Sequence, residues 1–264
     1  MSSDNVEGRG DPVISERLVT WGLVEVDWGH FGIILETGVN WRSERDRVKM
    51  NLDPGIICYQ HCEGRLFGFS LPSTCYVCDA DLTTEPLNTP PFRVPYPFVR
   101  ASQAPCTLVI KPSRGDFLHD YRSSSDLHIG VTDSEGCVLE YDSEGLHSDY
   151  TSAWTQTLSV PIITDATTNT VDPVWQEYWD FTLHTLARES TWSMERYSAS
   201  SFNCYSFVLE FLQALGPPGL NVKNLTKTSL CAQLLVPHTS AAARYISLYR
   251  RLLTEKVVAV NKSS

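Results

Sequence analysis

The stripe of apolar residues after Cys204 constrains this chain more than any other stretch. Phe207, Val208, Phe211, Leu212 and Leu215 recur at i+3, i+4, i+7, i+8 and i+11 from the cysteine, the pattern of a helix with one buried face. Ser200, Ser201 and Asn203 are all candidate N-caps, and Gly216-Pro217-Pro218 ends the run. A thiol is thereby set in the first turn of a buried helix. Unpaired N–H groups and the macrodipole favour an anion there, so the position suits a thiolate nucleophile. The plain alternative for the same residue is a small buried hydrophobe.

With 264 residues and 42% apolar content, the chain can bury a core in one or two domains. A net charge of −10 argues against non-specific binding to nucleic acid or to an anionic membrane. No apolar run approaches ~20 residues, so no membrane span is expected. The first residues, from Met1 to Gly8, show neither a basic stretch nor an apolar one. A secretory signal is therefore not expected, and the chain reads as intracellular, cytoplasmic or nuclear. In that setting the eight cysteines read as thiols or metal ligands, not disulfides.

Residues 1–54 are expected to form an N-terminal extension, partly disordered. Thr20 to Leu35 has a weak hairpin pattern and Trp41 to Lys49 is densely charged, with no partner element for either. Residues 55–83 are rich in cysteine. Cys58, His61 and Cys62 come first, Arg65 to Leu71 alternates like a strand, and Cys75-x-x-Cys78 follows. Two knuckles around a hairpin build a zinc ribbon, in which thiolates hold a tetrahedral ion where the core is too small. The expected ligands are Cys62, Cys75 and Cys78, with either His61 or Cys58 as the fourth. Four protein ligands leave no open position, so such a zinc would be structural. A strand pair with incidental buried thiols is the alternative.

Residues 84–105 carry Pro86, Pro90, Pro91, Pro95, Pro97 and Pro105, which excludes a regular helix or central strand and suggests an extended linker. The passive spacer has a rival in a proline-rich recognition segment at Pro90 to Pro97. Residues 106–256 read as an α+β unit. Strands are expected at Cys106–Lys111, Asp126–Thr132, Cys137–Tyr141 and Trp154–Ile163, with a tight turn at Asp133-Ser134-Glu135-Gly136. Helices are expected at Asp172–Glu189, after Cys204, at Leu225–Leu235, and at Thr239–Thr254 with Thr239 as its cap. Residues 257–264 are left as a tail. Strands first and helices second give an antiparallel sheet packed on helices.

A thiol becomes a catalyst when a base is near and a third polar group orients the base. His128 is the candidate base, because alternation places it on the strand face opposite Leu127 and Ile129. With the turn centred on Ser134, Glu140 lies directly across from it; a shifted register puts Asp142 there instead. A carboxylate beside an imidazole fixes its tautomer and raises its basicity. The alternative is a hydrogen-bonded, inert strand histidine. His119, His147, His184 and His238 have no comparable partner and are read as surface or packing residues.

A histidine on a strand, a hairpin back to a polar residue, then Asn203-Cys204-x-x-Phe207 opening a helix is similar to the circularly permuted papain-like fold. Cell-wall peptidases of the NlpC type, lecithin-retinol acyltransferase relatives and PPPDE proteins belong to that superfamily, and the histidine precedes the cysteine in its permuted members. The acyltransferase relatives carry a second histidine where Glu140 falls. They also have Asn-Cys-Glu-His-Phe where this chain has Asn203-Cys204-Tyr205-Ser206-Phe207. A closer resemblance covers about residues 56–255. His61-Cys62, Phe69-Ser70, Cys75-x-x-Cys78, Ser125-Asp126-Leu127-His128-x-Gly130, Asn203-Cys204-Tyr205-Ser206 and Ile246-x-Leu248-Tyr249-Arg250 carry it. On these strings the chain resembles the makorin ring finger 2 opposite strand protein family, whose members begin near residue 55. That resemblance implies membership and brings no activity with it.

Two functions from different classes follow. One is a cysteine hydrolase or acyl transferase acting on an amide, isopeptide or lipid ester, with Cys204 as nucleophile, His128 as base and Glu140 as orienting group. The other is a non-catalytic protein-interaction module, a degenerate papain-like domain with a structural zinc ribbon. Retention of His128 and Cys204 favours the first; Glu140 in place of histidine and Tyr205 crowding the nucleophile favour the second.

Overall fold

The computed structural model describes residues 55–149, 154–162 and 171–260, so the expected N-terminal extension lies outside the described residues. Two antiparallel sheets and a set of helices make an α+β structure. The first sheet has the order β3-β1-β2-β9, built from β1 (Ile57–Gln60), β2 (Arg65–Gly68), β3 (Thr89–Arg93) and β9 (Val257–Val260). The second has the order β7-β6-β5-β4-β8. Its strands are β4 (Leu108–Pro112), β5 (Leu127–Thr132), β6 (Val138–Asp142), β7 (Gly145–Asp149) and β8 (Leu158–Val160). Among the described residues no helix is long and apolar enough to cross a membrane.

The division expected from the sequence is corrected at two places. The proline-rich segment is not only a connection: Thr89–Arg93 forms the edge strand β3 on β1. Prolines are tolerated there because an edge strand needs only one side of its ladder. Nor are residues 257–260 a tail. β9 pairs with β2 along its length, from Arg65↔Val260 to Gly68↔Val257, and Val258 is fully buried. The cysteine-rich segment is likewise not closed on itself, since Ile56, Cys58 and Phe67 share one core with the helices.

Helix α1 (Pro173–Ala187) starts where Asp172 accepts from the Val174 N–H, with Pro173 at the first position. Helix α2 (Cys204–Leu215) carries the apolar stripe, and Phe207, Val208, Phe211 and Leu212 are fully buried. Each such side chain contributes about 1.5–3 kcal/mol by leaving water. They meet Ile129, Val131, Leu139 and Tyr141 of the second sheet in one core with Trp179 and Leu183 of α1. Gly216, at φ 60, ends α2 as a left-handed C-cap.

The last two expected helices are one continuous run. A capping box between Thr226 and Ser229 opens α3 (Lys227–Leu230), which passes through a π turn at Cys231–Leu235 into α4 (Val236–Glu255). Thr239 is not a cap; its hydroxyl donates back to the Leu235 and Val236 carbonyls, 3.1 Å from each. The wide turn just before Pro237 relieves the clash that a proline ring makes with the preceding turn, so the helix continues. Farther along α4, the Arg250 guanidinium donates to the carbonyls of Leu118, Phe117 and Tyr121, tying down the loop that leads into β5.

Candidate functional site

The segment before Cys204 is fixed by aromatic packing. Phe202 stacks on Trp192 at 5.2 Å, both rings lie against Tyr141, and the Tyr141 hydroxyl donates to the Ser193 carbonyl. Asn203 caps α2: its Oδ1 accepts from the Tyr205 N–H, its Nδ2 donates to Ala199 O, and Ser206 Oγ accepts from its own N–H. The Asn203 carbonyl takes the Ser206 and Phe207 N–H groups. Of the N–H groups at this helix start, that of Cys204 is the one the cap leaves unused.

β5 and β6 pair only from Gly130↔Glu140 to Thr132↔Val138, whereas β5 stays paired with β4 as far as Leu127. The ladder to β6 thus stops short of His128, and there Cys204 lies near enough to the imidazole to raise its pKa. Tyr205 holds the two elements together through its hydroxyl, which donates to the Leu127 carbonyl at 3.2 Å. Tyr205, expected to crowd Cys204, is the tie between helix and strand.

Of the two expected registers, the shifted one is formed here. Asp133 and Cys137 close the hairpin, with Asp133 Oδ1 accepting from the Glu135 and Cys137 N–H groups and Gly136 at φ 82. This longer turn puts Glu140 across from Gly130 rather than His128. His128 Nε2 nevertheless lies 2.8 Å from Glu140 Oε2, on the diagonal. The diagonal is open because Gly130 has no side chain: a Cβ there would stand 2.7 Å from Val138 Cγ1 and 3.3 Å from the Trp154 ring. Asp142, the alternative partner, sits 3.7 Å from His147 instead.

Glu140 gathers more than its histidine. The Trp154 indole N–H donates to Oε1 at 2.9 Å, and Lys111 Nζ is 3.8 Å from Oε2 and 4.2 Å above the Trp154 ring. His147, set aside in the sequence, faces Glu140 from β7 with Nε2 3.5 Å from Oε1. His119 and His184 also have carboxylate partners, Asp116 and Asp133. Burial pushes Glu140 up, but the hydrogen bonds from His128 and Trp154 and the charges of Lys111 and His128 outweigh it and hold the carboxyl at about 2. Burial likewise pulls His128 down, yet the nearby Cys204 and Glu140 outweigh it and raise it to about 9. Cys204 is 5% exposed and the His128 side chain 13%.

The second constellation is drawn from residues before and after β2 in the chain. His61, Cys62, Cys75 and Cys78 place one ligand atom each within 4.8 Å of one another. Cys62 Sγ is 3.9 Å from Cys75 Sγ and 3.1 Å from Cys78 Sγ; His61 Nδ1 is 3.3 and 3.4 Å from Cys62 and Cys78. A tetrahedral ion with Zn–S of about 2.3 Å needs sulfur–sulfur edges of about 3.8 Å, so the group is of the right size to hold a metal. His61 Nε2 faces Glu85 at 3.3 Å, the outer carboxylate that metal-binding imidazoles commonly have. Cys58, the other candidate, is buried in the main core and opposes Phe67 and Phe92 across the strands. Desolvation pushes Cys75 up, but the Val77 and Cys78 N–H groups outweigh it and bring it to about 7. The hydrogen bond to Cys78, burial and the neighbouring thiols push Cys62 to about 12. Three thiolates do not ionise together without a cation among them.

With the geometry in place, comparison with known proteins fixes the family. The family description DUF4796 C-terminal matches residues 91–252, and DUF4796 N-terminal matches 54–82. The MKRN2 opposite strand protein of Homo sapiens is 31% identical over 198 residues, which is 75% of this chain and 85% of that relative. The chain belongs to the MKRN2 opposite strand protein family. No solved structure matches it. In this member of the family both constellations sit on the matched residues, and Trp154, Lys111 and His147 complete the polar cluster around Glu140. Sequence reasoning missed those three. Lys111 is directly opposite His128 on β4, so a settled β4–β5 register was the signal that finds it; Trp154 lies in an irregular segment and carries none.

Proposed function

We propose that the chain is a thiol-dependent hydrolase or acyl transferase of permuted papain-like arrangement, with Cys204 as nucleophile, His128 as acid and base, and Glu140 as the group that orients His128. The observation that carries the reading is the His128–Glu140 pair at 2.8 Å, with Cys204 near enough to the same imidazole to raise its pKa. Because Nε2 is engaged by Glu140, Nδ1 is left for the thiol. The Cys204 sulfur would add to a carbonyl carbon while the Cys204 N–H, left over by the cap, faces the developing oxyanion. His128 would pass its proton to the leaving amine or alcohol as the carbon–heteroatom bond breaks, leaving a thioester on Cys204. Water or an acceptor nucleophile would then attack, giving its proton to His128 and releasing the thiol. An amide, isopeptide or ester fits this chemistry.

A zinc ion held by His61, Cys62, Cys75 and Cys78 is proposed for the cysteine-rich segment, in a structural role because the four ligands fill a tetrahedron. A second reading, the non-catalytic interaction module, is favoured by the 5% exposure of Cys204 beneath the Tyr205 tie. One experiment separates the two readings. The wild type and Cys204→Ala are treated at neutral pH with a thiol-selective electrophile and with an activated ester, and read by intact and peptide mass. Selective acylation of Cys204 that His128→Ala abolishes supports the enzyme; equal labelling of wild type and Cys204→Ala leaves the binding module.

A further inference from the structure

Glu140, Asp142 and His147 meet on the face of the second sheet that turns away from the core at Leu139 and Tyr141. Glu140 and Asp142 are two apart on β6, and His147 stands directly across from Glu140 on β7. One ligand atom from each lies within 4.8 Å of the others. Two carboxylates on a hairpin would be an ordinary patch of charge; the imidazole sets this group apart. Its Nδ1 is 3.2 Å from the Gly145 carbonyl, which can only accept, so the proton of the neutral ring is on Nδ1 and Nε2 presents its lone pair. That Nε2 lies 3.5 Å from Glu140 Oε1 and 3.7 Å from Asp142 Oδ2. A proton shared along either line would draw the atoms closer, as it does between His128 and Glu140 at 2.8 Å. A tetrahedral ion with metal–nitrogen and metal–oxygen bonds of about 2.1 Å instead sets its ligand atoms about 3.4 Å apart. The two spacings are close to that edge.

The far sides of the ligands are held as well. Asp142 Oδ1 accepts from the Glu144 N–H at 2.8 Å, which leaves Oδ2 to the group, and the Trp154 indole takes one lone pair of Glu140 Oε1 and leaves the other. The Glu140 side chain is 6% exposed, those of Asp142 and His147 33% and 39%, so the group opens to solvent on one side. We infer that Glu140, Asp142 and His147 form a second metal site, which takes a divalent cation of the zinc class through two carboxylate oxygens and one imidazole nitrogen. Two carboxylates match the charge of such an ion, and the nitrogen–oxygen donor set distinguishes the site from the sulfur-rich cluster at Cys62, Cys75 and Cys78. Three protein ligands leave the fourth position to water or a small anion. Lys111, 3.8 Å from the other Glu140 oxygen, opposes a cation, so this site is the weaker of the two and exchanges its ion.

The test adds Co2+ to the full chain already carrying one equivalent of Zn2+. One equivalent of cobalt is expected to bind, with the visible bands of a four-coordinate ion, no thiolate-to-cobalt charge transfer, and displacement of the His147 ring signals in the NMR spectrum of the wild type. His147→Ala and Asp142→Asn, both at half-buried positions of the hairpin, are each expected to weaken binding at least about tenfold with unchanged far-UV circular dichroism. Cys75→Ser, which removes a thiolate from the other cluster, is expected to keep the same cobalt spectrum. Failure of cobalt to bind the zinc-loaded chain, thiolate charge transfer in the bound spectrum, unmoved His147 signals, equal affinity in the two hairpin variants and the wild type, or loss of the spectrum in Cys75→Ser overturns the inference.

Discussion

The imidazole Nε2 of His128 lies 2.8 Å from Oε2 of Glu140 although the strands pair Glu140 with Gly130. The contact runs diagonally across the ladder through the space Gly130 leaves, beneath the Trp154 indole. His128 and Glu140 therefore act as one ionic unit whose two ends titrate in opposite directions.

That unit makes stability depend on pH with a definite sign. His128 is raised to about 9 from an ordinary 6.5, so its contribution is whole below pH 6.5 and is lost as pH rises through about 9. Glu140 is lowered to about 2 from 4.5, so its contribution is whole above pH 4.5 and is lost as pH falls through about 2. Both are complete only between pH 4.5 and 6.5. Urea unfolding is expected to show maximal stability there, with a loss on the order of 2–3 kcal/mol over the alkaline limb. Glu140→Gln should flatten both limbs; an unchanged profile in that variant would contradict the coupling.

Gly130 is the hinge of the arrangement in a steric sense. A methyl group there would meet Val138 Cγ1 at 2.7 Å and the Leu139 carbonyl at 3.1 Å. Gly130→Ala is expected to cost about 1–3 kcal/mol, as overpacking of a close contact does. It should also lower the His128 pKa seen by NMR titration, because Val138, Trp154 and Glu140 move together. Loss of stability with an unmoved His128 would mean that the glycine serves packing alone.

The candidate metal ligands divide by where their side chains point. Cys75→Ser removes a thiolate from the cluster, while Cys58→Ser changes a side chain buried in the main core. Elemental analysis of purified protein should find about one zinc per chain in the wild type and in Cys58→Ser, and much less in Cys75→Ser. Zinc lost from Cys58→Ser and kept in Cys75→Ser would reverse the assignment.

Local signals carried much of this structure and long-range ones did not. The Cys204 helix, its Asn203 cap and its Gly216 end were written in adjacent residues, because capping and stripe periodicity are local physics. So was the gathering of Cys75 and Cys78 with His61 and Cys62. The His128–Glu140 partnership was anticipated from a two-strand register that proved to be shifted, and it survives because Gly130 opens the diagonal. Trp154 and β9 depend on pairings between distant segments. Nothing in the short, weakly patterned run at Val257–Val260 says that its partner is β2, almost two hundred positions earlier.

That distant pairing links the end of the chain to the cysteine cluster. β2 runs between the ligand pairs, with His61 and Cys62 before it and Cys75 and Cys78 after it, and its outer ladder is completed by β9. Val258 opposes Phe67 and is fully buried, whereas the next residue, Ala259, is exposed. Val258→Asp places an unpaired carboxylate in the core and is expected to cost about 3 kcal/mol or more. It should also weaken zinc retention against a competing chelator, although no ligand is altered, because β2 then loses the strand that holds it. Ala259→Asp sits on the same strand facing water and is expected to change stability and zinc retention little. If both variants behave alike, β9 is incidental to the cluster; if only Val258→Asp releases the metal, β9 and the cysteine-rich segment fold as one unit.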